Sequence, residues 1–388
     1  MKKALILLMV SLQILFVMCL YLSASSKLNV TIDPRIELLM VVQYLSGYKG
    51  HPELLTSLDF PYKQSVKKRF SGYKEHPAVK MFARMSSRGF SYDTPPKVML
   101  HLSDPPGLEV VFPLSEHAIK KAGGKNRLEK FIALLRDFSR HSDFMSFYDS
   151  QKQTYAAIRE TVEKNFSDVD FIGDLEDYFG LQQRSYNIIL VPLANGNYGP
   201  RLKHEDETFD AYNIISPRDF KDGILQFGTI EYFRHLAWHE FGHSFVNPLT
   251  EKHMDELKKY ASLYKPIQKE MKARAYGDWE SAINEHIIRA VTTRLQYMHR
   301  GKENGDQALK QEINWGFVYV EHLCKKLEIY EKNRQKFLNF TAFYPQLIET
   351  FRELSEMDFK SPSSTLIITL KHTLSLDKGE EEKCLRTL

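Results

Sequence analysis

The chain has 388 residues, 43% of them hydrophobic and 26% charged, with a formal net charge of +4. That is enough for one large or two modest domains with real cores, and the composition excludes a disordered, fibrous or disulfide-scaffold chain. The positive charge is scattered in short clusters such as Lys67-Lys68-Arg69 and Lys120-Lys121, which read as solvated helix faces, so no nucleic-acid partner is expected.

At the start, Lys2-Lys3 precede an apolar run from Ala4 to about Leu22, broken only by Ser11 and Gln13, and Ser23-Ala24-Ser25-Ser26 follow. A basic region, an apolar run and small residues make a secretory signal, so residues 1–25 are expected to be a signal peptide. Because the run is long, an uncleaved anchor stays open. Cys19 keeps lipidation open too, although Phe16-Val17-Met18 lacks the small residue that such processing favours. All three alternatives put the remaining chain outside the cytoplasm, since Lys2 and Lys3 hold the N-terminus inside. Membrane contact is expected only through this segment.

Residues 26–180 read as mainly helical. Asp33 as N-cap and Pro34 at the first helical position open a helix running to about Leu45. Further helical stretches are expected at 62–70, 77–87, 126–139 and 146–165. The segment Ser46-Gly47-Tyr48-Lys49-Gly50-His51-Pro52 echoes Ser71-Gly72-Tyr73-Lys74-Glu75-His76-Pro77. One echo does not make a repeat architecture, so these read as two similar helix-exit turns, with His51 and His76 as surface or turn residues. Strands are expected at Val98–Leu102, Tyr186–Pro192 and Tyr212–Ile215, with a late one at Leu366–Leu370. Between the second and third, Ala194-Asn195-Gly196-Asn197-Tyr198-Gly199-Pro200 has turn chemistry and reads as a loop. From Thr229 to residue 356 nearly everything reads as helix. Cys324 and Cys384 have no CxxC spacing; they either pair or remain free thiols.

The stretch with chemical content is His239-Glu240-Phe241-Gly242-His243. On a helix, residues four apart lie one turn above each other, so both imidazoles can face one metal ion. Glu240 then projects beside that ion, where a general base for a metal-bound water belongs. The lead-in Glu231–Trp238 is rich in helix formers, and Asn247-Pro248 is expected to end the helix. Catalytic zinc usually keeps three protein ligands and a water, so a third ligand must come from elsewhere. Downstream, Asp278–Ala290 reads as a second helix on which Glu285 sits near Ile283, Ile287 and Ile288. A carboxylate in that company is costly to bury unless paired or metal-bound. Glu280 in the first turn and His286 are the alternatives to Glu285. His235, one turn before His239, reads as a partly exposed or cleft histidine. One Zn2+ per chain is expected.

His239-Glu240-x-x-His243 with a glutamate on a later helix resembles the gluzincin type of zincin metallopeptidase. More narrowly, the chain resembles an uncharacterised family of secreted bacterial zincin-like proteins known only as a domain of unknown function. Asp33–Leu39, Asn197–Pro200, His239–Pro248 and Asn284–Ala290 carry this second likeness. The resemblance implies an α+β, mostly helical zincin-like fold, with a small mixed β-sheet packed on the active-site helix. Residues 181–300 would form the catalytic core, and 301–388 a helical C-terminal part. It implies a zinc peptidase acting on peptides or proteins, with His239, His243 and Glu285 as ligands and Glu240 as base. Substrate would lie along an edge strand, for which Tyr186–Pro192 and Tyr212–Ile215 are the candidates. Tyr344 ranks first as the donor to the tetrahedral intermediate, by likeness to zincins that use a downstream tyrosine; Tyr198 and Arg289 are the other candidates. The chain departs from the thermolysin-like pattern at Arg289, where that pattern has the aspartate that orients a zinc histidine, so the support around the metal must be built differently. An inactive zinc-binding or cell-surface interaction protein on the same scaffold is the alternative reading.

Overall fold

The computed structural model describes residues 28–166 and 169–358. The expected signal or anchor, the strand expected at 366–370 and Cys384 lie outside these residues. Among the described residues, no helix is long and apolar enough to cross a membrane.

Strand β1 (Leu28–Thr31) leads into helix α1 (Pro34–Ser46). The Asp33 carboxylate accepts the backbone N–H groups of Arg35 (2.8 Å) and Ile36 (3.3 Å), and Gly47 closes the helix in the left-handed conformation, at φ 67°. Most of α1 is buried, including Glu37, which accepts the Tyr62 hydroxyl; that hydroxyl meets Tyr155 Oη at 3.0 Å. Burial pushes the Glu37 carboxyl up to about 7, and the Tyr62 hydrogen bond offsets only part of the rise.

Next come α2 (Pro61–Phe70), α3 (Pro77–Ser86), α4 (Thr94–Leu100), α5 (Glu116–Lys121), α6 (Lys125–His141), α7 (Phe144–Ser150), α8 (Lys152–Glu163) and α9 (Phe171–Phe179). The first three of these helices carry proline in their first turn, where its missing N–H costs nothing. Two sequence expectations fail here. Val98–Leu102 is not a strand: Val98, Met99 and Leu100 belong to α4, which Pro95 and Pro96 open, and an apolar run this short does not reveal its own period. The helix expected over 146–165 is two helices, interrupted at Gln151 (φ −93°, ψ 1°).

The main sheet has the order β1-β2-β4-β3, with β2 at Ser185–Leu190, β3 at Arg201–Lys203 and β4 at Phe209–Ile215. β1, β2 and β4 run parallel, with Val30 opposite Ile188 and Ile188 opposite Asn213; β3 is antiparallel to β4. The sheet is therefore small and mixed in an otherwise mostly helical α+β chain. Both strands expected to offer a free edge, β2 and β4, are internal. Their continuous apolar runs, Ile188-Ile189-Leu190 and Ile214-Ile215, mark strands buried on two faces rather than edges. The edge beside β4 is built instead from the stretch read as a loop. Tyr198 N–H donates to Ile214 O (3.0 Å), Ile214 N–H returns to Tyr198 O (2.8 Å), and Tyr212 N–H donates to Pro200 O (2.9 Å). Pro200 disguised it: its carbonyl takes the Tyr212 N–H, and proline forfeits only the return bond to Tyr212, a loss tolerated at a sheet edge. A hairpin of β5 (Asp219–Lys221) and β6 (Ile224–Gln226) follows.

The rest is helical: α10 (Ile230–Lys252), α11 (Met254–Leu257), α12 (Tyr264–Ala273), α13 (Trp279–Asn314), α14 (Val320–Lys332) and α15 (Phe340–Asp358). α13 bends at Gly301, whose φ of 84° is non-helical. The chain divides into two compact units, residues 28–177 with 182–244, and residues 178–181 with 245–358. The sequence-based division after residues 180 and 300 differs from this one. Among the described residues, the first unit holds the six strands, and the second is helical around Trp279, Tyr330, Phe340 and Phe351. Cys324 is a buried thiol in α14, with Sγ 3.6 Å from Ala290 O.

Candidate metal centre

Helix α10 is held on several sides because it is apolar on several sides, with Phe233, Ala237, Trp238, Phe241, Phe245 and Val246 all buried. Trp238 Nε1 donates to Asp174 Oδ2 on α9 (3.2 Å), and the Phe241 ring meets Tyr186 of β2 at 5.3 Å. Gln183 Nε2 donates to Ser244 O at 3.2 Å. This bond bears on the expected stop at Asn247-Pro248, which does not occur. Pro248 lacks the N–H that Ser244 O would accept one turn on; the Gln183 amide supplies a donor, and the helix runs to Lys252.

His239 and His243 rise from one face of α10, their rings 4.9 Å apart and nearly perpendicular. His239 is buried and His243 half-buried. The ring of His235 stacks on that of His239 at 6.2 Å, one turn earlier. Glu240 is half-buried beneath the edge segment. A Cβ added to Gly199 would collide with Glu240 Oε2 and lie 3.1 Å from Glu240 O, so only glycine lets the edge come this close. Tyr232, two turns before His239, accepts Asn197 Nδ2 at 2.7 Å and lies under the Arg218 guanidinium at 4.9 Å.

Helix α13 begins with a capping box: Ser281 N–H donates to Asp278 Oδ1 (2.8 Å), and Asp278 N–H donates to Ser281 Oγ (3.4 Å). Glu285 is 6% exposed on this helix, beside fully buried Ile288. The side chains of His239, His243 and Glu285 form a group in which one potential ligand atom from each lies within 4.8 Å of the others. The two alternatives to Glu285 are not in that group. His286 is fully buried, bonded through Nδ1 to Ala282 O (2.7 Å) and packed on Phe317 and Tyr319; burial lowers it to about 4, so it is a neutral core histidine. Glu280 sits in the first turn, half-buried.

Glu285 does not lack for company. Arg289 Nε donates to Glu285 Oε2 at 3.1 Å, and Arg289 Nη1 donates to Glu312 Oε2 at 2.8 Å, with the Phe317 ring 4.0 Å from the guanidinium. Arg289, Glu285 and Glu312 are all at most 11% exposed in their side chains. Burial alone would lower the Arg289 pKa, but Glu312 and Glu285 outweigh it and hold the guanidinium above its ordinary value. Tyr276 lies beside Glu285 and Arg289, and burial, more than the nearby carboxylate, raises its hydroxyl pKa. The position that departs from the thermolysin-like pattern thus orients the carboxylate ligand candidate, through a second buried glutamate.

The three residues considered as donors to an intermediate fare differently. Tyr344 is fully buried, its hydroxyl 2.7 Å from Thr250 Oγ1 and its ring stacked on His253, so it has no access to a bound substrate. Tyr198 precedes Gly199 on the edge segment, and alternation turns it away from Glu240, its hydroxyl lying near Gly196. Arg289 is committed to its two carboxylates.

A second group with metal-like spacing was not anticipated: His76, Asp137 and His141. His76 Nδ1 accepts Ala78 N–H at 3.2 Å, capping α3, which puts its proton on Nε2, 3.1 Å from Asp137 Oδ2. Both nitrogens of His76 are therefore in use, and the Asp137 and His141 side chains are 46% and 69% exposed.

The chain belongs to the family described as Domain of unknown function (DUF4932), whose model matches residues 28–350. No curated protein matches it, and no solved structure does.

Proposed function

We propose that this member of the family is a zinc-dependent hydrolase of peptide bonds that works outside the cytoplasm. The observation that carries the reading is the convergence of His239, His243 and Glu285 to within 4.8 Å. Ligand atoms bound to one tetrahedral zinc at about 2.0–2.2 Å lie roughly 3.3–3.6 Å apart, a spacing that small side-chain adjustments reach. Two imidazoles and a carboxylate are also a donor set that catalytic zinc uses.

Zinc held there would act as a Lewis acid and bring the pKa of a water towards ~7. Glu240, turned about 100° from His239 on the helix, takes a proton from the attacking water and returns it to the leaving amine. Arg289, backed by Glu312, fixes the direction of the Glu285 carboxylate. Gly199 brings the edge segment against Glu240, so an extended chain added along that edge would pass the base. That supports a peptide rather than a compact small molecule as substrate.

Glu240→Gln should lower hydrolysis of a mixed peptide library by about 10²–10⁴-fold while zinc stays bound, because Glu240 is a base and not a ligand. Near-normal turnover by that variant, or a wild-type chain that holds zinc and leaves the library intact, would overturn the reading.

A further inference from the structure

Helices α3 and α6 pack through Phe82 and Phe131, whose rings lie 6.0 Å apart, with Phe90 5.9 Å from Phe131. On their outer side they enclose a groove of about 490 Å³ lined by Pro77, Met81, Arg84, Met85, Arg88, Asn126, Arg127, Lys130 and Leu134. Its chemistry is one-sided. Arg84, Arg88, Arg127 and Lys130 are all exposed, and no carboxylate among the described residues lines the groove. Among the described residues, none of the four is in an ion pair, although cations elsewhere on the same helices are: Lys80 with Glu75 (2.9 Å), Lys125 with Glu129 (3.9 Å) and Arg136 with Glu109 (3.3 Å). Met81 and Met85 are buried at its floor, with exposed Pro77 and half-buried Leu134 at the sides. Residues 61–140 carry sixteen Lys and Arg against seven Asp and Glu, so the surrounding stretch is far more positive than the chain at +4.

We propose that this groove binds the headgroup of an anionic phospholipid. Four cations on two helices can surround a phosphodiester, and the methionine floor offers contact to the glycerol and first acyl carbons. The lining side chains that reach the groove are long and flexible, and its only uncharged polar lining residue is the exposed Asn126. Recognition there rests on charge and apolar contact, which suits a lipid surface better than a small metabolite that must be read by fixed hydrogen bonds. The inference is independent of the zinc reading, since the groove shares no residue with that site.

The test titrates the full chain with dihexanoyl phosphatidylglycerol kept below its micelle concentration, followed by calorimetry. Dihexanoyl phosphatidylcholine, sodium phosphate and a short single-stranded oligonucleotide serve as parallel arms. Saturable binding of the anionic lipid is expected, at least about tenfold tighter than the zwitterionic lipid. Each basic group near an anionic surface is worth roughly fivefold, so Arg84→Gln/Arg127→Gln should weaken binding about thirtyfold. The double reversal Arg84→Glu/Arg127→Glu should abolish it. All these side chains are exposed, and an unchanged thermal midpoint shows that the variants fold. Unaltered lipid affinity in the folded variants would overturn the proposal. Equal affinity for inorganic phosphate would reassign the groove to a free anion, and tighter, variant-sensitive binding of the oligonucleotide would reassign it to a polyanion; either result overturns the lipid assignment.

Discussion

Two clusters in this molecule place two histidines and a carboxylate within reach of one ion, and they differ in everything except that distance. In His76, Asp137 and His141, the histidine nitrogens and the carboxylate already satisfy one another and the start of α3, and two of the three side chains are largely in water. In His239, His243 and Glu285, the histidines come from one face of a buried helix, and the carboxylate is buried against an arginine that a second buried glutamate holds. Spacing alone does not make a metal site. Burial, the inventory of protons and the groups behind each ligand separate the two.

The comparison is broken most severely at Arg289. Arg289→Leu leaves Glu285 and Glu312 buried without their cation and should cost about 3–5 kcal/mol of stability, read as a fall in the denaturant midpoint. Added zinc should recover part of that loss in the variant, because the ion replaces the missing positive charge beside Glu285. No recovery would separate Glu285 from the metal. Gly199→Ala tests another feature of the His239, His243 and Glu285 cluster, the Glu240 carboxylate beside the two histidines. The new methyl group must displace the Glu240 carboxylate, so turnover should fall roughly ten- to hundredfold with zinc content unchanged. Wild-type turnover in Gly199→Ala would mean that Glu240 acts from a different position. His76→Ala is the smallest change. It removes the cap of α3, worth about 1 kcal/mol or less, and should leave zinc content and turnover as they were. Zinc lost with His76 would make the second cluster a metal site after all.

What could be read in the sequence, and what could not, follows from the distance along the chain over which each feature is written. The two histidines and Glu240 lie within five residues, and helical spacing alone aligns them. Glu285 stood out because its neighbours Ile283, Ile287 and Ile288 are apolar, which marks a carboxylate needing a partner. Arg289 lies one helical turn from Glu285, but Glu312 is 23 residues beyond Arg289 and sits among Lys310, Gln311 and Asn314, which read as a solvated face. Gly199-Pro200 resembled a turn, and only its pairing with β4 reveals an edge. Pro248 signalled a helix end, and only a glutamine 61 residues away from Ser244 explains why the helix continues. Tyr344 was carried by resemblance, and its Thr250 partner, 94 residues distant, could not be read from either local sequence.

The most direct measurement is zinc-edge X-ray absorption on the full chain, loaded with zinc and washed, alongside His239→Ala and His76→Ala. The account predicts about one zinc per chain with two imidazole nitrogens and a carboxylate oxygen at about 2.0–2.2 Å, lost in His239→Ala and kept in His76→Ala. A chain that retains no zinc, or one whose zinc survives His239→Ala and disappears in His76→Ala, would contradict it.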